Sequence, residues 1–286
     1  MLKRVKTYLI YTKPRVWWLL VFTAIGGALA AGGSKTPLNL LALTALTVSL
    51  GCMGAEAIGN YIDKDIDILM SRTKNRPLPR GDIKPKRALI FGLILTSLAL
   101  FTSYLANPLT LILMALGIFD YVVVYCKWLK RKSKWNILFG SFSGGAPTLI
   151  GYSIVSNTLD MFAFLLASLV ILWIPGHIWS LALKYKEDYI KAKVPMLPTR
   201  VSERVSLICI ASTISLTVAF SFLMIYFGNL SLIYLIFSSI LGGLLILQIL
   251  RLLMKPSLTL YWRIFKLSSP YLALIYLALI MDRTLF

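Results

Sequence analysis

Read from its start, the chain alternates long apolar blocks with short polar punctuation. Nine blocks, at 16–34, 38–59, 88–106, 108–126, 135–155, 159–183, 205–228, 230–250 and 267–284, each hold about the 20 residues that an α-helix needs to cross a bilayer. The breaks between them are turn-like: Gly32-Gly33-Ser34, Asn107-Pro108, Ser156-Asn157 and Gly228-Asn229. The pattern predicts an all-α polytopic membrane protein of about nine transmembrane helices. It leaves no room for a separate soluble domain, so residues 1–286 read as one membrane-embedded unit. The segment Met1–Lys13 is charged and lacks a small-residue cleavage site after it, so the first helix reads as retained.

Composition agrees: 58% of the 286 residues are hydrophobic and 14% charged, too few charges to clothe a soluble domain of this size. Charge changes the picture only when mapped. A net charge of +19 suggests nucleic acid as a partner. Yet 28 of the 30 Lys and Arg lie on one set of alternate segments, and the other set holds only Lys35 and Arg283. That is the positive-inside asymmetry. It predicts an N-in, C-out chain whose basic residues meet the cytoplasmic leaflet of the cell membrane. No aromatic-interleaved basic patch of the nucleic-acid type is present. Cys52, Cys126 and Cys209 are far apart and form no C-x-x-C pair, so neither a disulfide framework nor a thiolate metal site is implied.

Acidic residues number only eleven, and several gather at two helix ends. At about 100° per residue, Glu56, Asn60, Asp63 and Asp67 share one face within an arc of about 60°, while Asp65 points to the opposite side. Carboxylates and a carboxamide stacked in this way suit a hard cation such as Mg²⁺. The competing reading is a solvated helix end paired to local lysines. A basic loop follows at once, Met70-Ser71-Arg72-Thr73-Lys74-Asn75-Arg76-Pro77-Leu78-Pro79-Arg80. Acid, metal and arginine together suit a diphosphate. A second set, His177, Lys184 and Asp188, repeats the 7- and 11-residue offsets of Glu56, Asp63 and Asp67. His177, the sole histidine, suits substrate contact, proton transfer or a hydrogen bond within the bundle. No second His or Cys stands at ligand spacing for zinc. A third basic group, Lys127, Lys130, Arg131, Lys132 and Lys134, follows Tyr125, and its Lys130 and Arg131 are within reach of the same diphosphate. Asp120, further up that helix, has no reading. Gly140 and Gly144 read as a close-packing pair on the fifth helix.

Asn60-Tyr-Ile-Asp63-Lys-Asp-Ile-Asp67, Met70-Ser-Arg72-Thr73 and Arg76-Pro77-Leu78-Pro79 resemble the signature of the UbiA-type intramembrane prenyltransferases. Tyr125 with Lys130-Arg131-Lys132-Ser133, His177-Ile-Trp179, Lys184-Tyr185-Lys-Glu-Asp188-Tyr189 and Val194-Pro-Met-Leu-Pro198 are similar to the branch that farnesylates haem. The resemblance implies a nine-helix bundle around a central cavity closed by the two motif loops. It implies farnesyl diphosphate and haem b as substrates, haem O as product, and handover to a haem A synthase or terminal oxidase assembly. It implies Mg²⁺ on Asn60, Asp63 and Asp67, with Asp188 supporting a second metal or orienting a basic partner. Arg72, Arg76, Lys130 and Lys184 would meet the diphosphate; Tyr125, Arg131 and His177 would also bind substrate. Glu56 has no counterpart in the family pattern. The alternatives are prenyl transfer to a quinone precursor or other lipid acceptor, and a membrane transporter with the acid face as its cation site.

Overall fold

The computed structural model describes residues 2–285, and they form helices without a strand. In chain order these are α1 Leu2–Tyr11, α2 Pro14–Gly32, α3 Leu38–Ile62, α4 Lys64–Leu69, α5 Pro85–Ala106 and α6 Pro108–Phe119, which runs on as a π-helix over Asp120–Leu129. Then come α7 Asn136–Phe139, α8 Phe142–Ser156, α9 Met161–Lys184, α10 Lys186–Lys191, α11 Leu197–Arg200, α12 Glu203–Gly228, α13 Leu232–Met254 and α14 Leu258–Leu285. The chain is a multi-pass membrane protein: among the described residues, 8 helices are long and apolar enough to span. Their starts are fixed by local chemistry. Asn107 accepts from the Thr110 amide at 2.7 Å, with Pro108 opening α6, and Asp160 accepts from the Ala163 amide at 2.8 Å to start α9.

The expected helix over 135–155 is the exception. The chain folds there as α7 and α8, parted at Gly140 and Ser141. Gly140 and Gly144 therefore pack closely, against Tyr125 and Ile174, but from the break between the helices and from α8 rather than from one helix. By itself α8, at 15 residues, is about 22 Å long, short of a bilayer core of about 30 Å. Its surroundings explain why this is tolerated. Residues Gly144 to Ile154 are all buried, so α8 meets protein, packed between α2, α6 and α9. The last helix departs the other way. Its apolar block begins at 267, yet α14 begins at Leu258, because Trp262 and Phe265 find partners on the α9 side.

Most buried side chains join one cluster along the bundle axis. A small second cluster, Tyr11, Ala57, Leu78, Ile83 and Ala88 with Tyr8 and Phe91 against it, fastens α1 and the 70–84 loop to α3 and α5. The outer surface is apolar; on α5, Ile90, Leu93, Ile94, Leu98 and Phe101 all point outward. Such a surface is stable only in contact with lipid.

A close backbone approach joins α2 to α8. A Cβ on Gly151 would run into the Ala24 carbonyl, and one on Gly27 into that of Thr148. Backbone cannot step aside as a side-chain tip can. Gly151→Ala is therefore expected to lower stability by about 1–3 kcal/mol, read as a fall in the thermal unfolding midpoint in detergent. Gly243→Ala, in open space within α13, serves as the control and leaves the midpoint unchanged or slightly raised.

Candidate active site

The face formed by the end of α3 and by α4 is intact and buried. Glu56, Asn60, Asp63 and Asp67 are 8%, 3%, 4% and 4% exposed. The helix breaks at Asp63, whose φ is −90 and ψ 6, but the phase survives. The Asp63 amide still donates to Gly59 and the Asp67 amide to Asp63, at 2.9 and 2.8 Å. Asp65 points away, as its angle requires, and is exposed.

Each buried carboxylate has a cation, and each cation comes from a different segment. Lys13, between α1 and α2, reaches Glu56 at 2.7 Å. Arg76, from the loop after α4, donates from Nη1 to both oxygens of Asp67, at 3.0 and 2.8 Å. Lys130, just past the π-helix, pairs with Asp63 and lies over the Tyr125 ring, 5.3 Å from its centroid. Arg131 takes a different place from its neighbour. It grips Asp65 through two contacts of 2.7 Å and the Ile62 carbonyl at 2.9 Å, on the exposed side of the corner. That pair holds the Asp65 carboxyl below its ordinary 3.8, chiefly through the Arg131 hydrogen bonds.

Two oxygens on the buried face are left over. Asn60 Oδ1 and Asp63 Oδ1 are buried with no hydrogen-bond partner, although buried polar atoms are nearly always satisfied. Both are hard acceptors. A small cavity lined by Tyr11, Asn60, Asp67, Arg76 and Leu78 borders the Asn60 side of this face. Among the described residues no three His, Cys, Asp or Glu side chains are grouped to hold an ion. For Mg²⁺ that count is too strict, since the ion commonly takes one or two carboxylates and draws its other ligands from water and substrate phosphates. The donor set fits a magnesium–diphosphate.

The second set does not stay together. Asp188, on α10, accepts from the Ser71 hydroxyl at 2.6 Å and the Arg72 amide at 3.4 Å, so it ties the loop after α4 to the short helix that follows α9. Lys184, at the end of α9, is half-buried and, like Arg72, takes part in no ion pair among the described residues. His177 lies deeper in the bundle. It stacks on Trp173 and Phe265, with ring centroids 4.4 and 4.2 Å apart, and its Nδ1 meets Ser268 Oγ at 2.8 Å. Beyond it Phe265 stacks on Trp262 at 5.1 Å, Trp262 meets Tyr185 edge-on at 6.4 Å, and the Arg72 guanidinium lies 5.9 Å from the Tyr185 centroid. An aromatic run thus links the 72 loop to the interior between α9 and α14. Its members Trp173, Trp262 and Phe265 carry no sequence signal; Trp262 and Phe265 sit 77 and 88 residues from their partners Tyr185 and His177. Asp120 also gains a role: its Oδ2 accepts from the Ser143 amide at 2.8 Å, so a carboxylate from the π-helix caps the start of α8.

A buried acid face, orphaned oxygens and converging cations, set on a helical membrane bundle, suit an enzyme that handles a diphosphate. The chain belongs to the UbiA prenyltransferase family, which it matches over residues 19–270; this leaves the transporter reading without support. Within that family it is 42% identical, over 100% of both chains, to the protoheme IX farnesyltransferase of Thermoplasma volcanium. Solved structures show the same fold. A digeranylgeranylglyceryl phosphate synthase superposes with a TM-score of 0.82 at 24% identity, covering 99% of this chain and 100% of that one. A UbiA homolog from Archaeoglobus fulgidus bound to GPP and Mg²⁺ gives 0.68 at 15% identity, covering 96% and 99%.

The tie between the loop after α4 and α10 titrates. Burial pushes the Asp188 carboxyl up, but the Ser71 hydroxyl, the Ser71 and Arg72 amides and the Arg72 charge outweigh it, so the pKa lies below 3.8. A depressed acid stabilises the fold at neutral pH and loses that contribution as pH falls through its folded-state value. Ser71→Ala is expected to move the Asp188 midpoint up toward 3.8, so that the tie fails at a higher pH. Carboxyl ¹³C NMR of Asp-labelled protein in detergent reads the midpoint; an unmoved Asp188 resonance would show that Ser71 does not set it.

Proposed function

We propose that the protein transfers the farnesyl group of farnesyl diphosphate to a vinyl group of haem b, giving haem O and diphosphate. The observation that carries prenyl transfer is the buried Asn60–Asp63–Asp67 face, with its two unpartnered oxygens and its converging cations. The choice of haem as acceptor is supported by the likeness, over the whole of both chains, to a protoheme IX farnesyltransferase.

Asn60, Asp63 and Asp67 would hold Mg²⁺, which supplies positive charge to the diphosphate as it departs. The rest of the work falls to the protein's own side chains. Arg76 and Lys130 already stand beside the carboxylates, where a short swing brings them to phosphate oxygens. Arg72 and Lys184 have no competing ion pair among the described residues and complete the set. Fixed cations of this kind stabilise negative charge as it grows on the leaving group. Asp188 does not need to touch a metal in this scheme: through Ser71 and the Arg72 amide it positions Arg72. The allylic C–O bond breaks, the haem vinyl carbon attacks the farnesyl cation, and water adds to the resulting carbocation with loss of a proton. Burial of the acid face keeps bulk water from reaching the cation first. The aromatic run from Tyr185 to Trp173 offers an apolar, polarisable wall for the prenyl chain or the flat acceptor. With the basic end of the bundle facing the cytoplasm, diphosphate enters from that side, and haem O passes to a haem A synthase or terminal oxidase assembly.

Purified protein incubated in detergent with haem b, farnesyl diphosphate and Mg²⁺ should yield haem heavier by one farnesyl group plus water, and none with a chelator. Release of diphosphate only when quinone precursors are supplied would overturn the acceptor assignment. In the same assay Asp63→Asn and Asp67→Asn should each slow product formation by roughly 100-fold or more. A rate within about threefold of wild type in either variant would remove that residue from the site.

A further inference from the structure

Glu56 is a buried acid that the family pattern leaves without a role, and α1 is a short helix that the hydropathy pattern does not announce. The structure brings them together beside Asn60. At the end of α1 the Tyr11 hydroxyl donates to the Ala57 carbonyl at 2.5 Å, and the Asn60 side-chain amide donates from Nδ2 to the Tyr11 carbonyl at 2.7 Å. Two residues on, Lys13 turns the chain in a left-handed conformation, with φ of 53. That turn lets Pro14 open α2 and brings Lys13 Nζ within 2.7 Å of Glu56. Tyr11 is 2% exposed and packs with Ala57, Leu78, Ile83 and Ala88.

We propose that this corner, Tyr11 to Lys13, is a strap that orients Asn60, with Glu56 and Lys13 as its fastening and all three as positioning residues. Donors and acceptors decide the orientation. A carboxamide has two ends that are nearly the same in shape and opposite in character. Capture of Nδ2 by the Tyr11 carbonyl forces Oδ1 to the other side, where it lies buried without a protein partner. Without the strap the amide is free to flip and present its donor end, which repels a cation. The Tyr11 carbonyl cannot hold Asn60 unless the backbone of residue 11 is itself held. Three fixings do this: the tyrosine hydroxyl on α3 one turn before Asn60, the packing of its ring, and the Lys13–Glu56 pair, also on α3. The hydroxyl and the Lys13–Glu56 pair both land on the helix that carries Asn60, and the ring packing adds the 70–84 loop and α5, so strap and amide are held together. The inference rests on reading the acid face as a magnesium–diphosphate site.

The test separates metal-dependent from metal-independent binding of farnesyl diphosphate, measured by tryptophan fluorescence on the full chain in detergent, with Mg²⁺ and with a chelator. In the wild type Mg²⁺ should tighten binding. Glu56→Gln, Lys13→Met and Tyr11→Phe are each expected to lose about tenfold or more of that Mg²⁺-dependent gain, with the affinity in chelator unchanged, because the cations that meet the diphosphate stay in place. The reversed pair Lys13→Glu with Glu56→Lys should recover it. A full Mg²⁺-dependent gain in Glu56→Gln overturns the strap, as does equal weakening with and without metal, which is the mark of a merely structural role. If Glu56→Gln does not fold, Tyr11→Phe and the reversed pair decide by the same criterion. Absence of any Mg²⁺-dependent gain in the wild type would instead overturn the reading of the site itself.

Discussion

A carboxylate taken out of water needs hydrogen-bond donors or positive charge around it, and three of them stand on one face at the end of α3 and in α4, each met by a cation. Everything at the basic end of the bundle answers to that demand. Leaving one member of a buried pair alone typically costs about 3–5 kcal/mol, so each acid compels a particular cation to be present. The cations come from positions 13, 76 and 130. The corner before α2, the proline-flanked loop after α4 and the end of the π-helix are thereby drawn to a single place. The same constraint separates roles among similar residues. Lys130 and Arg131 are adjacent in sequence, but only Lys130 turns to the buried face, while Arg131 closes the exposed corner on Asp65.

The acid face is legible in the sequence because four polar residues interrupt an apolar helix at helical spacing, and the break at Asp63 keeps the helical phase. The spans are legible for the same reason: length and hydropathy are local properties. Three things are not local. The sharing of a face by His177, Lys184 and Asp188 assumes one straight helix, yet α9 ends at Lys184 and Tyr185 turns the chain, with φ −113 and ψ 33. His177 is then claimed by α14 and Asp188 by the loop at Ser71. The split of the expected fifth span depends on what surrounds α8, since a helix buried in protein is released from bilayer length. The helix α1 has 10 residues and mixed character, so windows sized for a bilayer pass over it. Glu56 is visible as an unexplained acid, and only the fold supplies its partner.

The aromatic run illustrates a different limit. Trp173 and Phe265 look like ordinary core residues in a chain this apolar, and His177 stands out only as the sole histidine. Their alignment, with Trp262 and Tyr185, becomes evident only when α9 and α14 lie side by side. Its direction matters more than its members, since it runs from the Arg72 loop toward the middle of the membrane and joins the charged end of the site to an apolar path.

The π-helix over Asp120–Leu129 sets how the last part of its helix is aimed. Widening a helix turn by one residue rotates every later side chain by about 100° relative to an α-helix of the same length. Asp120 points to the start of α8 from one end of this stretch, and Lys130 points to Asp63 from the other. Forcing all of these residues into α-helical winding would swing the later side chains off the acid face, whereas deleting the one extra residue would close the turn and leave Lys130 aimed as it is. In lineage terms, the stretch is a buffer: a codon gained inside an apolar helix is taken up as a wider turn, so the helix can lengthen without taking Lys130 off the acid face.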